Sequence, residues 1–230
     1  MVFIWSLIFI VILSVVFTTN IKKNYKGWYA LASFISILVS IYEVMRIVSH
    51  PKLNGVILSI EQAFMKGNVA IAFFILVMFA GALSTKQVIG KKLMSIRAEL
   101  AILGSILILP HGIIYFVRFL IIKLPKILNG KANATLYLIY ISIGIIAFII
   151  MIPLFITSFK SVRKRLGGFR WKKLHRWSYV FYCLIYLHII LALLNGKINF
   201  IKIILYTFIF MVYTVMKFIK HRNIKLRRKS

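Results

Sequence analysis

The sequence predicts an all-α fold: a polytopic integral membrane bundle of about seven transmembrane helices. Of the 230 residues, 62% are hydrophobic, and only Glu43, Glu61 and Glu99 are acidic. The hydrophobic residues fall into long runs, each close to the ~20 residues that cross the hydrocarbon core of a bilayer. Composition and run length together place the chain among polytopic membrane proteins.

Seven apolar runs are long enough to be transmembrane helices. In chain order they cover Val2–Thr19, Trp28–Ser49, Asn68–Ser84, Arg97–Ile122, Thr135–Phe159, Leu174–Leu194 and Ile198–Phe218. The first run lacks a basic start and a small-x-small cleavage site, and lysines follow it closely, so we expect an uncleaved anchor rather than a signal peptide. A further stretch, Val56–Met65, is too short to span, and we expect it to lie at an interface.

The basic residues determine the expected orientation. They number 31 and give a formal charge of +28, yet they lie between apolar runs rather than on a soluble domain, so nucleic-acid binding is not expected. With loops on alternating sides, one side receives 22 basic residues and the other eight, and Arg46 inside the second run is counted with neither. The richer side should be cytoplasmic. The N-terminus is then outside, the C-terminus is inside, and the fourth and sixth helices run outward.

Several kinds of redox site are excluded by composition. Cys183 is the single cysteine, so the chain has no disulfide, no cysteine-based zinc site and no iron–sulfur cluster. No stretch is long and polar enough to form a flavin or nicotinamide domain, and the Gly-rich fingerprint of such a domain is absent. Any redox chemistry therefore needs an electron donor from outside this sequence.

The fourth run carries a stripe of candidate binding residues. Arg97, Gly104, His111 and Arg118 lie seven residues apart, and a seven-residue step turns a helix by only about −20°, so the four share one slowly drifting face. Gly104 would allow a flat macrocycle to approach the backbone, and Arg118 could hold a propionate through a charge-assisted hydrogen bond. Pro110 should bend the helix just before His111.

The sixth run carries His188 deep in the hydrocarbon, where an imidazole without a partner is unfavourable. His188 lies 14 residues beyond Leu174, as His111 lies 14 beyond Arg97. At ~1.5 Å rise per residue, both histidines lie roughly 20 Å from the cytoplasmic edge. Two histidines at one level are what a bis-His haem needs. The alternative for each is a structural histidine hydrogen-bonded between helices.

The spacing of His175 from His188 leaves its role open. It precedes His188 by 13 residues, which is ~220° around an ideal helix, so a straight helix would not direct both rings at one partner. Either His175 precedes the regular helix, or the helix is overwound or kinked, or His175 has another role. Arg97, at the same edge, cannot ligate iron. We expect His50 and His221 to be ordinary interfacial or solvated residues.

Four segments near the fifth and sixth runs occur in a recognisable order. They are Ile156-Thr157-Ser158-Phe159, then Arg165-Leu166-Gly167, then Trp171-Lys172-Lys173-Leu174-His175-Arg176-Trp177-Ser178-Tyr179, and finally His188. In this order the region from about Asn68 to Phe218 resembles the ferric reductase-like transmembrane domain. That family includes ferric reductases, NADPH oxidases and the haem-bearing membrane subunit of the bacterial methionine sulfoxide reductase system.

The resemblance implies a site. His111 and His188 match the family's outer haem ligands, and His175 matches one inner ligand. Arg97 occupies the position of the inner partner, as in the sulfoxide-reductase subunits, so a second bis-His haem is not expected. The short bacterial members take electrons from quinol or a separate reductase, so a quinone, a second haem ligated by His175, or a separately supplied flavin are the candidates for the inner position.

These inferences define three regions: membrane helices and an interfacial segment (residues 1–67), a haem-binding transmembrane domain (68–218) and a basic cytoplasmic tail (219–230). The expected function is that of a b-type cytochrome in a bacterial plasma membrane. It would pass electrons from quinol or a cytoplasmic flavin reductase to an acceptor protein or metal on the outer side. The alternative is a non-redox transporter or partner subunit with structural histidines. Membrane-embedded acids are scarce, however, and no pair of broken helices repeats across two halves.

Overall fold

The computed structural model describes residues 2–49, 53–129, 135–196 and 198–227 of the chain. Over these ranges the chain is helical and contains no strand, which confirms the predicted all-α class. His50, which we expected at an interface, lies outside the described residues.

The helices follow one another through short connections. They are α1 Val2–Val16, α2 Thr18–Lys23, α3 Tyr25–Val48, α4 Gly55–Met65, α5 Asn68–Ala82, α6 Val88–Ser95, α7 Arg97–Arg118, α8 Leu124–Leu128, α9 Thr135–Ile156, α10 Lys160–Leu166, α11 Gly168–His175, α12 Trp177–Asn195 and α13 Phe200–Arg227. A π-helical turn, Phe119–Lys123, joins α7 to α8.

Within the described ranges, five helical stretches are long and apolar enough to cross a membrane. They are Tyr25–Val48, Arg97–Leu128, Thr135–Ile156, Gly168–Asn195 and Phe200–Asn223. α4 and α5 satisfy the same test only together, with a 49° bend between them, which gives up to six spans. This agrees roughly with the seven runs of the sequence, and the inside–outside orientation stays a prediction.

Two of the predicted runs are interrupted in the structure. The first run does not continue to Thr19, because the helix is interrupted at Phe17 and α1 has only 15 residues. The sixth run is interrupted at Arg176, so that His175 ends α11 and α12 begins at Trp177. Arg176 keeps helical dihedral angles, and hydrogen bonds from Arg176 N to Lys173 O and from Tyr179 N to Arg176 O tighten the helix at this point. The junction thus combines two of the alternatives that the spacing left open: His175 lies before α12, and the helix is locally overwound.

α5 is the central helix of the described bundle. Thirteen of its 15 residues are buried, and its sequence is apolar on every face, which suits a helix surrounded by protein. α5 packs against α1, α7 and α13, while α3 packs on α7 and α9 lies against both α7 and α12. This arrangement brings the second half of α7, with His111, toward the part of α12 that carries His188.

The outer helices expose large apolar side chains, as expected for a surface covered by lipid. Trp5, Phe9, Phe34, Ile149 and Phe208 are each more than half exposed. A soluble monomer seldom exposes apolar surface on this scale. Polar side chains inside the bundle are therefore separated from lipid by the outer helices.

Candidate functional site

α7 and α12 bring His111 and His188 face to face inside the bundle. Their ring centroids are 6.2 Å apart, and the ring planes are nearly perpendicular at 86°. A tyrosine ring lies beside each histidine ring. The centroids of Tyr115 and His111 are 4.9 Å apart, and those of Tyr140 and His188 are 5.7 Å apart. Both histidines are half-buried by protein alone.

Each of these two rings is held by a backbone carbonyl. His111 Nδ1 lies 2.9 Å from the carbonyl oxygen of Met65, and His188 Nδ1 lies 2.8 Å from that of Tyr140. A carbonyl oxygen only accepts hydrogen bonds, so each Nδ1 carries the hydrogen and each Nε2 keeps its lone pair. This is the tautomer and the supporting contact that metal-ligating histidines use.

The separation of the rings fits a metal centre placed between them. Imidazole nitrogen binds a first-row metal such as zinc at about 2.0–2.1 Å, so two rings on opposite sides of one metal ion have centroids about 6 Å apart. Among the described residues, no group of three or more His, Cys, Asp or Glu side chains could hold a bare metal ion. Two histidines suffice only when a cofactor supplies the remaining ligands, as the haem macrocycle does.

A glycine determines where the His188 ring can lie. A Cβ added at Gly144 on α9 would be 2.7 Å from both Cε1 and Nδ1 of His188. No real side chain tolerates such a contact, so the ring packs directly on the α9 backbone, one turn from the carbonyl of Tyr140. Gly144 was not among the residues that the sequence singled out, because a single glycine in an apolar run has no distinguishing signal.

Two other residues of the α7 stripe have partners of their own. Gly104 faces α5, where an added Cβ would lie 3.0 Å from Phe73 Cβ and 3.2 Å from Phe74 Cε1, so it permits close packing of α5 on α7. Arg118 pairs with Glu43 of α3, a fully buried carboxylate. The stripe therefore connects the histidine pair to the packing of α5 on one side and to a buried ion pair on the other.

A second feature is a cavity of about 360 Å³ at the Arg97 end of the bundle. Its lining combines basic, acidic and aromatic side chains. Among them are Arg97, Glu99, Lys160, Arg163, Trp171, His175 and Tyr182. Glu99 pairs with Lys160 at 3.5 Å, and Arg97 Nε donates to the carbonyl of Val77 at 3.1 Å. The volume is in the range of small-molecule sites, roughly 300–1,000 Å³.

His175 is fixed at the wall of this cavity. Its ring stacks on Trp171 at 4.3 Å, and its Nε2 lies 3.0 Å from the hydroxyl of Thr157. That hydroxyl donates to the carbonyl of Pro153 at 2.6 Å, so it accepts a hydrogen bond from Nε2. The free lone pair of His175 is then on Nδ1, the opposite nitrogen from that of His111 and His188.

Comparison with known proteins identifies a family that the chain resembles over half of its length. A family model described as "Ferric reductase like transmembrane component" matches residues 66–186. An uncharacterized protein of Treponema pallidum is 33% identical over 152 residues, which is 64% of this chain and 41% of that protein. The heme-binding subunit of protein-methionine-sulfoxide reductase from Rhizobium meliloti is 28% identical over 145 residues, 63% of each chain.

A shorter match is more similar in sequence. The magnetosome protein MamZ of Paramagnetospirillum magneticum is 53% identical over 53 residues, 23% of this chain and 8% of that protein. In each of these three comparisons, less than two thirds of the relative's own length is covered. No solved structure is significantly similar to the chain.

The contact between Gly144 and His188 can be tested through stability. Gly144→Ala should lower the unfolding temperature of the detergent-purified protein relative to Gly27→Ala, because forced overpacking costs about 1–3 kcal/mol. Gly27 lies in α3 with nothing within 4 Å of an added Cβ, and both changes bring the same gain in helix propensity, about 1 kcal/mol. Equal unfolding temperatures for the two variants would contradict the contact.

Proposed function

Because the chain belongs to the ferric reductase-like transmembrane family, we propose that it is a membrane b-type cytochrome that passes electrons across the bilayer. The observation that carries this proposal is the His111–His188 pair, whose Nδ1 atoms both donate to backbone carbonyls. A structural histidine would gain most by engaging both nitrogens. Among the described residues, these two rings instead have no hydrogen-bond partner at Nε2. The 6.2 Å between their centroids suits one metal centre between them.

The cofactor we propose is haem b, held by Nε2 of His111 and of His188. The bound haem supplies reversible one-electron transfer at its iron. The protein orients both rings through the carbonyls of Met65 and Tyr140, and its apolar helices exclude water. Arg118, whose Nη2 donates to Glu43, is the residue we assign to a propionate, through a charge-assisted hydrogen bond from one of its remaining N–H groups. Similarity to a protein named as a heme-binding subunit supports this choice of cofactor.

The direction of transfer follows from the distribution of charge. The Arg97 end of α7 adjoins the segment Lys160–Arg176, which forms α10, α11 and the residue after them and carries eight basic residues. By the positive-inside rule we assign that end to the cytoplasm. Electrons would enter there from quinol or a cytoplasmic flavin reductase and leave near Arg118 to an outer acceptor, a protein or a metal. The similarity to a methionine-sulfoxide reductase subunit favours a protein acceptor.

For the inner cavity we propose a quinone as occupant rather than a second haem. Ligation of iron by His175 Nε2 would break its hydrogen bond to Thr157, whereas the Nδ1 lone pair is free to accept a hydrogen bond from a quinol hydroxyl. Arg97 can donate to a quinone carbonyl oxygen. The planar ring of a quinone suits a cavity of about 360 Å³ that is lined by aromatic side chains. A flavin supplied by a separate reductase is the other ligand that the same lining would accept.

The haem proposal predicts a specific loss of colour. Protein purified from haem-sufficient cells should show the visible spectrum of a low-spin b-type haem, and His111→Ala or His188→Ala should each abolish it because one axial ligand is removed. His221→Ala, an exposed histidine of α13, is the matched control and should retain the spectrum. A colourless wild-type protein, or an unchanged spectrum in either ligand variant, would refute the assignment.

The inner site is tested by stoichiometry and reduction rate together. For a quinone site, haem per chain should be near one, quinol should reduce the haem, and His175→Ala should slow that reduction several-fold without loss of haem. Phe169→Ala, an exposed residue of the same helix, should change neither value. A stoichiometry near two would support a second haem instead. An unchanged reduction rate in His175→Ala would remove His175 from the inner site.

A further inference from the structure

A further buried group of charges lies at the Arg118 end of the bundle and shares Arg118 with the proposed haem site. Glu43 on α3 is fully buried, with Nη2 of Arg46 at 3.0 Å from its Oε1 and Arg118 paired with its other oxygen. Glu61 on α4 is 6% exposed and lies beside Glu43. Neither oxygen of Glu61 has a hydrogen-bond donor among the described residues.

Such a carboxyl group is costly if it is ionised. A buried carboxylate without a hydrogen-bonded partner costs several kcal/mol, and both neighbouring guanidinium groups are already paired with Glu43. Two ionised carboxylates cannot hydrogen-bond each other, since both only accept. One proton supplies the missing donor, so that Glu61 and Glu43 form a carboxylic acid–carboxylate pair of the kind that shares one proton.

The surroundings favour a proton over a metal ion at this position. The charged groups that act on Glu61 are Glu43, Arg46 and Lys66, and Tyr115 of α7 also interacts with it. Arg118 of α7 is paired with Glu43, and Tyr42 of α3, whose hydroxyl lies 3.4 Å from the Leu53 nitrogen, is the other titratable group on that side of α4. α1 and α5, which also pack on α4, carry no titratable side chain. Three cations, Arg46, Lys66 and Arg118, surround the two carboxyl groups and leave the cluster positive overall even with both ionised, which disfavours a metal ion. A proton forms a covalent O–H bond and needs no ligand shell.

The carboxyl pair is close to the histidine site through two short routes. Met65, whose carbonyl accepts from His111, is the last residue of α4, one turn after Glu61. The Tyr115 ring lies 4.9 Å from the His111 ring and 5.9 Å from the Arg118 guanidinium carbon. A change of one charge at the histidine pair therefore acts on the carboxyl pair across low-dielectric protein, where electrostatic coupling is strong.

We propose, resting on the haem site proposed above, that Glu43 and Glu61 are a proton-binding site coupled to oxidation of the haem. The pair holds one proton while the iron is ferrous. On one-electron oxidation of a bound haem by an outer oxidant, the O–H bond of the pair would break and its proton would pass to water at the Arg118 end. The negative charge left on the pair offsets the positive charge gained at the iron, so electron and proton leave on the same side.

The coupling is measured by spectroelectrochemical titration of the purified cytochrome at several pH values. The midpoint potential of the wild type should fall with rising pH across the neutral range, with a slope approaching about 59 mV per tenfold change in proton concentration for one electron and one proton. Glu61→Gln keeps the shape of the side chain but cannot release a proton, so its potential should be nearly independent of pH. A flat wild-type profile, or an equal slope in Glu61→Gln, would overturn the proposal.

A second measurement needs no haem. A protonated carboxylic acid has an infrared C=O stretch that is absent from carboxylates, and we expect such a band in both haem-loaded and haem-free protein. Glu61→Gln should remove the band, while Glu99→Gln, a buried glutamate that is paired with Lys160, should retain it. Absence of a Glu61-dependent band overturns the proton site itself. If the chain bound no haem, the potential titration would fail for every variant while the infrared band still reported on Glu61, so the two failures are distinguishable.

Discussion

The proposed haem site depends on two hydrogen bonds from histidine to backbone, His111 to Met65 and His188 to Tyr140. Each bond fixes a ring tautomer, and each requires a particular backbone path. The Met65 carbonyl is available because α4 ends there and Gly67, in the left-handed conformation at φ 73°, turns the chain into α5. The Tyr140 carbonyl reaches His188 because Gly144, one turn further on, lets the ring lie against α9. Two glycines that carry no chemistry thus determine where two lone pairs point.

Charged groups and imidazoles in a bilayer are costly to bury. In the described part of the chain, the three groups discussed above lie at three levels. The cavity around Arg97 and His175 lies at the basic end, the histidine pair lies between the two ends, and the Glu43–Glu61 pair lies at the opposite end with Arg118. The helices between these levels present apolar surface to lipid. This ordering suits the electron carrier that we propose. Hydrogen-bonding groups lie where the donor would bind, the histidine pair lies away from water, and the carboxyl pair can compensate charge near the acceptor side.

Much of this arrangement follows from the sequence, for physical reasons. Helix rise is constant, so counting 14 residues from Arg97 and from Leu174 was enough to predict that His111 and His188 share one depth. Contacts between helices follow no such rule. The sequence therefore could not indicate that Gly104 faces Phe73 or that Arg118 is paired with Glu43. Val56–Met65 was expected at an interface, yet α4 packs on α5 and α7 and buries Glu61. Backbone carbonyl partners leave no trace in residue types at all.

The most direct measurement of the central claim is electron paramagnetic resonance of the oxidised, purified protein. Two imidazoles on one ferric haem give a low-spin signal, and ring planes near the observed 86° leave two iron d orbitals almost equal in energy. The account therefore predicts one strongly anisotropic low-spin signal per bound haem. A rhombic low-spin signal would mean nearly parallel rings and contradict their orientation by Met65 and Tyr140. A high-spin signal would contradict ligation by both His111 and His188.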